Sequence, residues 1–245
     1  MVQTNIPDFY SIYDLVVSCH LLVNDGQCVL IDTGLTPLAR YSLKRRIRSL
    51  GLAPSSLKAI FLTHGHLDHT GNIAWIQKWS GAQIYIHRED QMHLEGRHPY
   101  HGASRICGWL ESIGRAIFRY SAPKILNYFQ DGEKLPFGCG LQVMHLPGHT
   151  DGHCGFFHIE SNLLFSGDLF ACYLVSTHAP PFFLNTSAGK LASSFRKVAK
   201  SNPRFIVCNH YEFTDPCYMR RKFQQLYERR FAGEKLANTM PINRK

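Results

Sequence analysis

The stretch Thr63-His64-Gly65-His66-Leu67-Asp68-His69 places four possible metal ligands within six residues. It follows the apolar run Ala-Ile-Phe-Leu of residues 59–62, which is typical of a buried strand. Four ligands at this spacing cannot all face one ion from a regular helix or strand, and Gly65 permits the tight loop that they require. Imidazole is the commonest protein ligand for zinc, and a carboxylate suits a bridging position or a second ion. The stretch therefore predicts a metal-binding loop at the end of a strand.

Three further candidate ligands each stand at the end of a predicted strand. They are His149 in LPGHTDGH, Asp168 in LLFSGDLF and His210 in FIVCNHYE. Loops at one edge of a sheet can converge in space although they are far apart in sequence. Together with the first stretch they provide five histidines and two aspartates, which is the number of ligands expected when one carboxylate bridges two ions.

The rest of the chain mixes strand and helix patterns, which predicts a single α/β domain over residues 1–245. Strands are predicted at residues 15–23, 28–31, 59–63, 84–86, 141–146, 154–159, 163–165 and 205–208. Helices are predicted at about residues 37–50, 71–80, 103–120, 187–200 and 215–232. The Asp25-Gly26 pair supplies a tight turn, so the first two strands are expected to form a hairpin.

The composition bounds the class of protein. A hydrophobic fraction of 44% over 245 residues is enough for one sizeable core and argues against disorder. The net charge of +9 raises the question of nucleic acid, but eight Lys or Arg against four Asp or Glu follow His210, which places +4 of the total there. Another basic cluster, at residues 40–48, shares one predicted helix with apolar core positions. We interpret these charges as solvated helix faces and expect no nucleic-acid partner.

Membrane and secretory signals are not found in the sequence. No run approaches the 18 or more apolar residues of a membrane span, and the first ten residues lack the basic-then-apolar layout of a secretory signal. The eight cysteines form no CxxC pair and mostly lie in apolar runs, as reduced core thiols do. We therefore expect a cytoplasmic protein without a membrane partner.

These motifs resemble those of the metallo-β-lactamase superfamily. The HxHxDH hallmark of that family matches residues 64–69, and VLIDTG at 29–34 and GHTDGH at 148–153 extend the similarity over about residues 15–210. The resemblance implies a four-layered αβ/βα sandwich. It also implies one metal held by His64, His66 and His149, a second held by Asp68, His69 and His210, and a bridge between them formed by Asp168. Asp32 in LIDTG is expected to orient a ligand histidine rather than to bind metal.

Two adjacent metal ions, as the resemblance implies, would indicate a hydrolase. Divalent ions ~3.5–4 Å apart share a water molecule, lower its pKa toward neutrality and polarise the group that the resulting hydroxide attacks. Asp68 is the candidate catalytic residue, because a carboxylate here can both bind metal and accept a hydrogen bond from that water. The expected cofactors are two divalent ions, zinc before iron or manganese. The expected partner is a small-molecule acyl substrate, namely an ester, thioester, lactone or lactam.

Two other functions on the same fold stay open. A mononuclear non-haem iron dioxygenase uses ligands of the same types, so the residues alone do not separate it from the hydrolase. A metal-dependent nuclease is suggested by the charge of +9, although the sequence contains no recognisable RNA-binding arm or nuclease-associated domain.

Two segments look like insertions into the core. Residues 87–130 are predicted to be mostly helical and enter between the first ligand cluster and His149, so they can fold over the metals as a lid. Residues 169–186 leave directly from the bridging aspartate. Their aromatic character predicts a substrate pocket formed by Tyr173, His178, Phe182 and Phe183. The other aromatic residues of both segments, Trp109 among them, are interpreted mainly as local core.

Overall fold

The larger of two main sheets contains the N-terminal half of the chain. The computed structural model describes residues 9–15, 17–123, 126–173, 176–211 and 215–231. In spatial order the strands of this sheet are β1 (Phe9–Tyr13), β2 (Ser18–Asn24), β3 (Gln27–Ile31), β4 (Leu57–Phe61), β5 (Gln83–His87) and β6 (Asn127–Phe129). The first three strands are antiparallel, and β3 to β6 are parallel. Because β3 and β4 run in the same direction, the loops that follow them leave the same edge of the sheet.

The second sheet is built from the C-terminal half. Its spatial order is β12-β9-β8-β7, with β7 at Leu141–His145, β8 at Cys154–His158, β9 at Leu163–Phe165 and β12 at Phe205–Val207. Strand β8 is antiparallel to β7 and β9, and β12 is parallel to β9. Strands β7, β9 and β12 therefore all end at one edge. A short ribbon of β10 (Ala171–Cys172) and β11 (Thr177–His178) follows β9.

The helices either pack on the sheets or lie in the loops that connect the strands. They are α1 (Pro37–Ser49), α2 (Leu67–Thr70), α3 (Ile73–Ser80), α4 (Gln91–Leu94), α5 (Arg105–Ile117), α6 (Ala188–Ser201) and α7 (Pro216–Arg230). Helix α1 begins where Thr36 caps the backbone N–H of Leu38 and Pro37 takes the first helical position. In the part of the chain that the structure describes, no helix combines the length and apolar character needed to span a bilayer.

Side chains alternate across β3 and divide the apolar interior into two cores. Val29 belongs to the core that also contains Phe156 of the second sheet and Phe195 of α6. Its neighbour Leu30 belongs to the other core, together with Leu43 of α1. Successive residues of a strand face opposite sides of a sheet, so β3 is buried on both faces. The result is the four-layered αβ/βα sandwich that the resemblance implies.

Most of the regular elements follow the sequence predictions. The hairpin is confirmed by the pairing of Val23 with Cys28 across the β2–β3 turn. Each predicted helix is present, and its ends differ by no more than three residues where they are described; residue 232 lies outside the described residues. The sequence did not predict β1 or β6. Segment 87–130 contains the predicted helix as α5, and also the short helix α4, but it ends in β6, which pairs with β5 and belongs to the larger sheet.

The cysteines largely match their predicted role as core thiols. Seven of the eight are buried, whereas Cys217 at the start of α7 is exposed.

Gly148 provides a test of how the second sheet positions its loops. It has φ +130°, and a Cβ atom there would lie 2.2 Å from the backbone nitrogen of Leu191 in α6. We expect Gly148→Ala to lower the free energy of unfolding by about 3 kcal/mol, because alanine would be strained at this φ and its Cβ atom would clash with the backbone of Leu191. Gly189→Ala is the control, since nothing lies within 4 Å of its added Cβ atom. Urea unfolding measures both, and equal stability of the two variants would contradict this account.

Candidate metal centre

The first three histidines lie together at the edge where β4 and β7 end. His64 Nε2 and His66 Nδ1 are 3.1 Å apart. The centre of the His149 ring lies 4.8 Å from the centre of the His64 ring and 4.6 Å from that of the His66 ring. Two nitrogens bound to one tetrahedral zinc at 2.0–2.1 Å would be about 3.3 Å apart. These three buried side chains could therefore hold one ion.

A second group forms around the one-turn helix α2. The sequence did not predict this helix, which spans Leu67–Thr70 ahead of the predicted helix at 71–80 and makes Asp68 and His69 helical. His210 Nε2 lies 3.4 Å from Asp68 Oδ2, and His69 Nε2 lies 3.6 Å from the same oxygen. The ligand stretch is thus divided, with two histidines in the first group and its last two ligands in the second.

The carboxylate of Asp168 lies between the two groups. Its Oδ1 is 3.3 Å from His69 Nε2, and its Oδ2 is 3.1 Å from His210 Nε2 and 3.7 Å from His149 Nε2. The side chain is 11% exposed. It therefore contacts histidines of both groups, as a bridging ligand must.

The unsatisfied atoms of this cluster fit metal ions. Among the described residues, His69 Nε2, His149 Nε2 and Asp168 Oδ1 are buried and form no hydrogen bond. Most buried polar atoms in proteins have a hydrogen-bond partner, so three orphaned atoms in one place require another explanation. Neutral imidazole nitrogens and a carboxylate are the donor types that zinc, iron and manganese accept.

The electrostatics differ between the two groups. Burial, followed by the neighbouring histidines, holds the pKa of His64 and of His66 well below its usual value, so both rings are neutral and can donate a lone pair. Burial also acts on His69 and His210, but the field of Asp168 and Asp68 raises the pKa of both rings well above the usual value. The carboxylates therefore favour positive charge at the second group.

Asp32 lies directly behind His69, one of the candidate ligands. Its Oδ2 lies 2.8 Å from His69 Nδ1 and accepts a hydrogen bond of 2.8 Å from Asn209. The backbone N–H and hydroxyl of Thr63 donate to its two oxygens. Asp32 has φ +58° at the end of β3, which directs the chain sharply out of the sheet. It fixes the ring of His69 with Nε2 directed at the cluster.

Asp90 has a similar role that the sequence analysis missed. Its buried carboxylate accepts hydrogen bonds from the backbone N–H of Gly65 at 2.7 Å, the hydroxyl of Thr150 at 2.8 Å and the backbone N–H of Gly152 at 2.7 Å. Burial raises the pKa of this carboxyl to about 7, although the three donors lower it. A Cβ atom at Gly65 would lie 2.6 Å from that of His93, which explains the glycine. Asp90 thus joins the loops of His64, His66 and His149.

His153 and Asn185 support the remaining ligands. Burial lowers the pKa of His153 to about 3, so its ring is neutral. A neutral ring has one donor and one acceptor: Nδ1 is 2.9 Å from the carbonyl of Leu146, and Nε2 accepts from the backbone N–H of Asp168 at 3.0 Å. His149 Nδ1 lies 3.2 Å from Asn185 Oδ1. The contact with Asn185 could not be predicted from strand patterns, because Asn185 lies in a loop.

A cavity of about 220 Å³ opens beside the cluster. Tyr173 and His178 line it together with His149, Asp168 and His210. Phe182 and Phe183 were predicted to line the same pocket, but neither side chain does so. They lie in a 3-10 turn at Phe182–Leu184, where Phe182 is 78% exposed and Leu184 takes the place at the cavity. The segment that follows Asp168 therefore does line the cavity, but through other side chains than Phe182 and Phe183.

The fold and this cluster define a class of metal-dependent hydrolases, and comparison with known proteins gives the family. Residues 12–210 match the family model described as the metallo-beta-lactamase superfamily, and the chain belongs to this superfamily. It is 33% identical over 160 residues to "Hydroxyacylglutathione hydrolase GloC" of Haemophilus influenzae, covering 62% of this chain and 66% of that protein. It is 28% identical over 198 residues to "Probable metallo-hydrolase YflN" of Bacillus subtilis, covering 74% of each.

Solved structures show the same fold. A metallo-beta-lactamase family protein of Thermus thermophilus, TTHA1429, superposes with a TM-score of 0.72 at 24% identity and covers 91% of this chain and 79% of that one. TTHA1623 in a di-iron-bound form superposes with a TM-score of 0.64 at 24% identity, covering 89% of this chain and 98% of that one.

Asp90 provides the test of how the ligand loops are held. We expect Asp90→Ala to lower the free energy of unfolding by at least about 3 kcal/mol, because each of three buried donors left without a partner costs about 1–3 kcal/mol. Metal affinity should fall about 10–100-fold. Asp90→Asn, which keeps the volume and one acceptor oxygen, should lose less of both. Urea unfolding and metal titration measure the effects, and an alanine variant with unchanged stability and affinity would show that the contacts are incidental.

Proposed function

We propose that this chain hydrolyses a small acyl substrate with a water molecule activated between two divalent metal ions, zinc in the first place. The observation that carries the proposal is the convergence of seven donor side chains into two groups with one carboxylate between them. His64, His66 and His149 would hold the first ion, Asp68, His69 and His210 the second, and Asp168 would bridge them. When bound, two such ions lower the pKa of a shared water molecule and polarise the scissile carbonyl.

Asp68 is the residue proposed to handle the proton. Its side chain is 31% exposed, whereas that of Asp168 is 11% exposed and that of His69 is fully buried. Asp68 therefore combines contact with the second ligand group and access to solvent. Its free lone pairs can accept the hydrogen bond of the nucleophilic water and pass its proton outward. Asp32 and His153 hold the neighbouring His69 and Asp168 so that this geometry is preorganised.

The cavity supports a compact acyl group as substrate. Its volume of about 220 Å³ lies below the 300–1,000 Å³ typical of drug-sized ligands. Phe170, Pro180 and Leu184 supply apolar walls, while Tyr173 and His178 add polar groups. Relatives named hydroxyacylglutathione hydrolase favour a thioester among the four acyl classes, because an acylated glutathione is a thioester. The match covers 60% of the Aeromonas hydrophila relative with this name. The proposal therefore does not specify the thiol part of the thioester.

The two alternative functions receive less support. A mononuclear iron dioxygenase needs only one set of ligands. That function does not explain the second group of side chains around Asp68 and His210. A nuclease needs a surface for a long polyanion, whereas this cavity is small and largely apolar. One iron per chain with oxygen consumption would favour the first alternative, and hydrolysis of phosphodiesters would favour the second.

Metal content tests the proposed centre. Protein stripped with a chelator and dialysed against Zn²⁺ should contain close to two zinc ions per chain by mass spectrometry of the metal. Asp168→Ala should lower occupancy and turnover together, with turnover falling by about 100-fold or more, because the two cations lose their shared anion. Asp151→Ala is the matched control, since this aspartate pairs with Lys190 on the surface. Full occupancy and turnover in Asp168→Ala would exclude the bridge.

Cavity variants test the substrate assignment. Tyr173→Ala and His178→Ala should change the ratio of kcat/KM between thioesters and lactones while metal content stays at two, because both side chains line the cavity. Phe182→Ala is the control, since this exposed side chain lies outside the cavity. If the control changes the ratio and the two cavity variants do not, the substrate binds elsewhere.

A further inference from the structure

Helix α5 exposes a continuous row of large apolar side chains. We call the α5 stripe the set formed by Ile106, Trp109, Leu110, Ile113 and Ile117, whose exposed fractions range from 40% to 68%. Each member lies three or four residues from another member, and Trp109 and Leu110 are adjacent, so the five share one side of the helix. This differs from the expectation that Trp109 belongs to a local core, since it is 64% exposed. Contiguous apolar surface of this kind marks an interaction site.

The other sides of α5 fix the helix, so the stripe cannot turn inward. Glu111 accepts hydrogen bonds of 2.9 Å from the backbone N–H of Leu67 and from the hydroxyl of Tyr100. A Cβ atom at Gly114 would lie 2.6 Å from Cδ2 of Leu67, which shows how closely the helix packs on the ligand loop. Arg115 donates to the carbonyls of His93 and Leu94. The exposure of the stripe is thus a property of a tightly packed helix.

The charged side chains at the two ends of the stripe are positive. Arg105 and Arg119 are exposed there, whereas Arg97 nearby is paired with Glu95. The only acidic residue between positions 96 and 123 is Glu111, whose side chain is 11% exposed and already bonded. A surface that combines apolar side chains, a tryptophan and positive charge complements a partner that is apolar and negatively charged.

We propose that α5 binds the surface of a membrane that contains anionic lipids. The α5 stripe enters the boundary between headgroups and acyl chains, and Arg105 and Arg119 contact headgroup phosphates. The sequence patterns did not indicate a membrane partner because a helix that lies in the interface needs no long apolar run. Pairing with a second copy is less favourable, since antiparallel contact of two stripes brings Arg105 of one copy near Arg119 of the other.

This surface lies close to the candidate substrate site. Helix α5 contacts the turn Phe182–Leu184, and Leu184 lines the cavity beside the metal centre. Membrane binding would therefore bring the cavity near lipid without altering the metal ligands.

The test uses vesicle co-sedimentation of the metal-loaded, full-length protein. Vesicles of phosphatidylcholine with phosphatidylglycerol should bind the protein, pure phosphatidylcholine should bind it much less, and added salt should weaken binding. Tryptophan emission should shift to the blue as Trp109 enters the interface. Ile113→Glu should weaken binding about tenfold or more, because it places a charge within the stripe. Tyr41→Glu is the control, because it also places a glutamate at an exposed large side chain but lies on α1, outside the stripe; Tyr41 is 63% exposed. This variant should bind vesicles like the unaltered protein.

The outcomes separate this proposal from the proposed function. Hydrolysis of a soluble acyl substrate by Ile113→Glu should equal that of the unaltered protein, so a failure to bind vesicles leaves the metal centre untouched. The proposal is overturned if anionic vesicles bind no protein, or if Ile113→Glu and Tyr41→Glu bind equally well. It is also overturned if sizing shows a dimer that Ile113→Glu dissociates while vesicles bind nothing, because the stripe then joins two copies. Binding that persists in a variant with both Arg105→Gln and Arg119→Gln would refute the part played by headgroup charge.

Discussion

The buried carboxylate of Asp168, in contact with histidines from three separate segments of the chain, is the constraint around which the site is arranged. A carboxylate removed from water is costly unless a positive charge or several donors accompany it. Burying imidazole nitrogens with their lone pairs directed at one another is also costly unless a positive charge or a donor accompanies them. The chain tolerates this arrangement because the ligands come from the ends of strands in two packed sheets, whose apolar cores hold them in place. Divalent cations would supply the charge that this group of side chains lacks.

Two further buried carboxylates keep the ligand loops in register. Asp32 connects the end of β3 to His69 and, through Asn209, to the loop that carries His210. Asp90 connects the first ligand loop to the loop of His149. Each accepts several hydrogen bonds from the chain, so each is satisfied without metal. The centre therefore depends on acidic side chains that orient it as well as on those that could enter it, as is common for metal sites.

The sequence identified the candidate ligands because their signal is local and chemical. Five histidines and two aspartates at strand ends could be recognised from the strand patterns and the HxHxDH spacing, and the structure brings all seven together. Asp90 could not be found this way, since its role depends on the approach of segment 90–94 to Gly65 in three dimensions. Strand β6 was missed because its sequence Asn-Tyr-Phe is not an apolar run, whereas the equally short β9 and β12 are wholly apolar. Phe182 and Phe183 were misplaced because composition identifies an aromatic loop but not which side chains its backbone turns toward the cavity.

The claim that two ions share Asp168 is tested most directly by anomalous diffraction from crystals grown with zinc, recorded on both sides of the zinc absorption edge. The account predicts two anomalous peaks about 3.5–4 Å apart, the separation usual for two-metal sites. One peak should lie among His64, His66 and His149, and the other among Asp68, His69 and His210, with an oxygen of Asp168 near each. A single peak in crystals with zinc in excess, or two peaks without Asp168 between them, would contradict it.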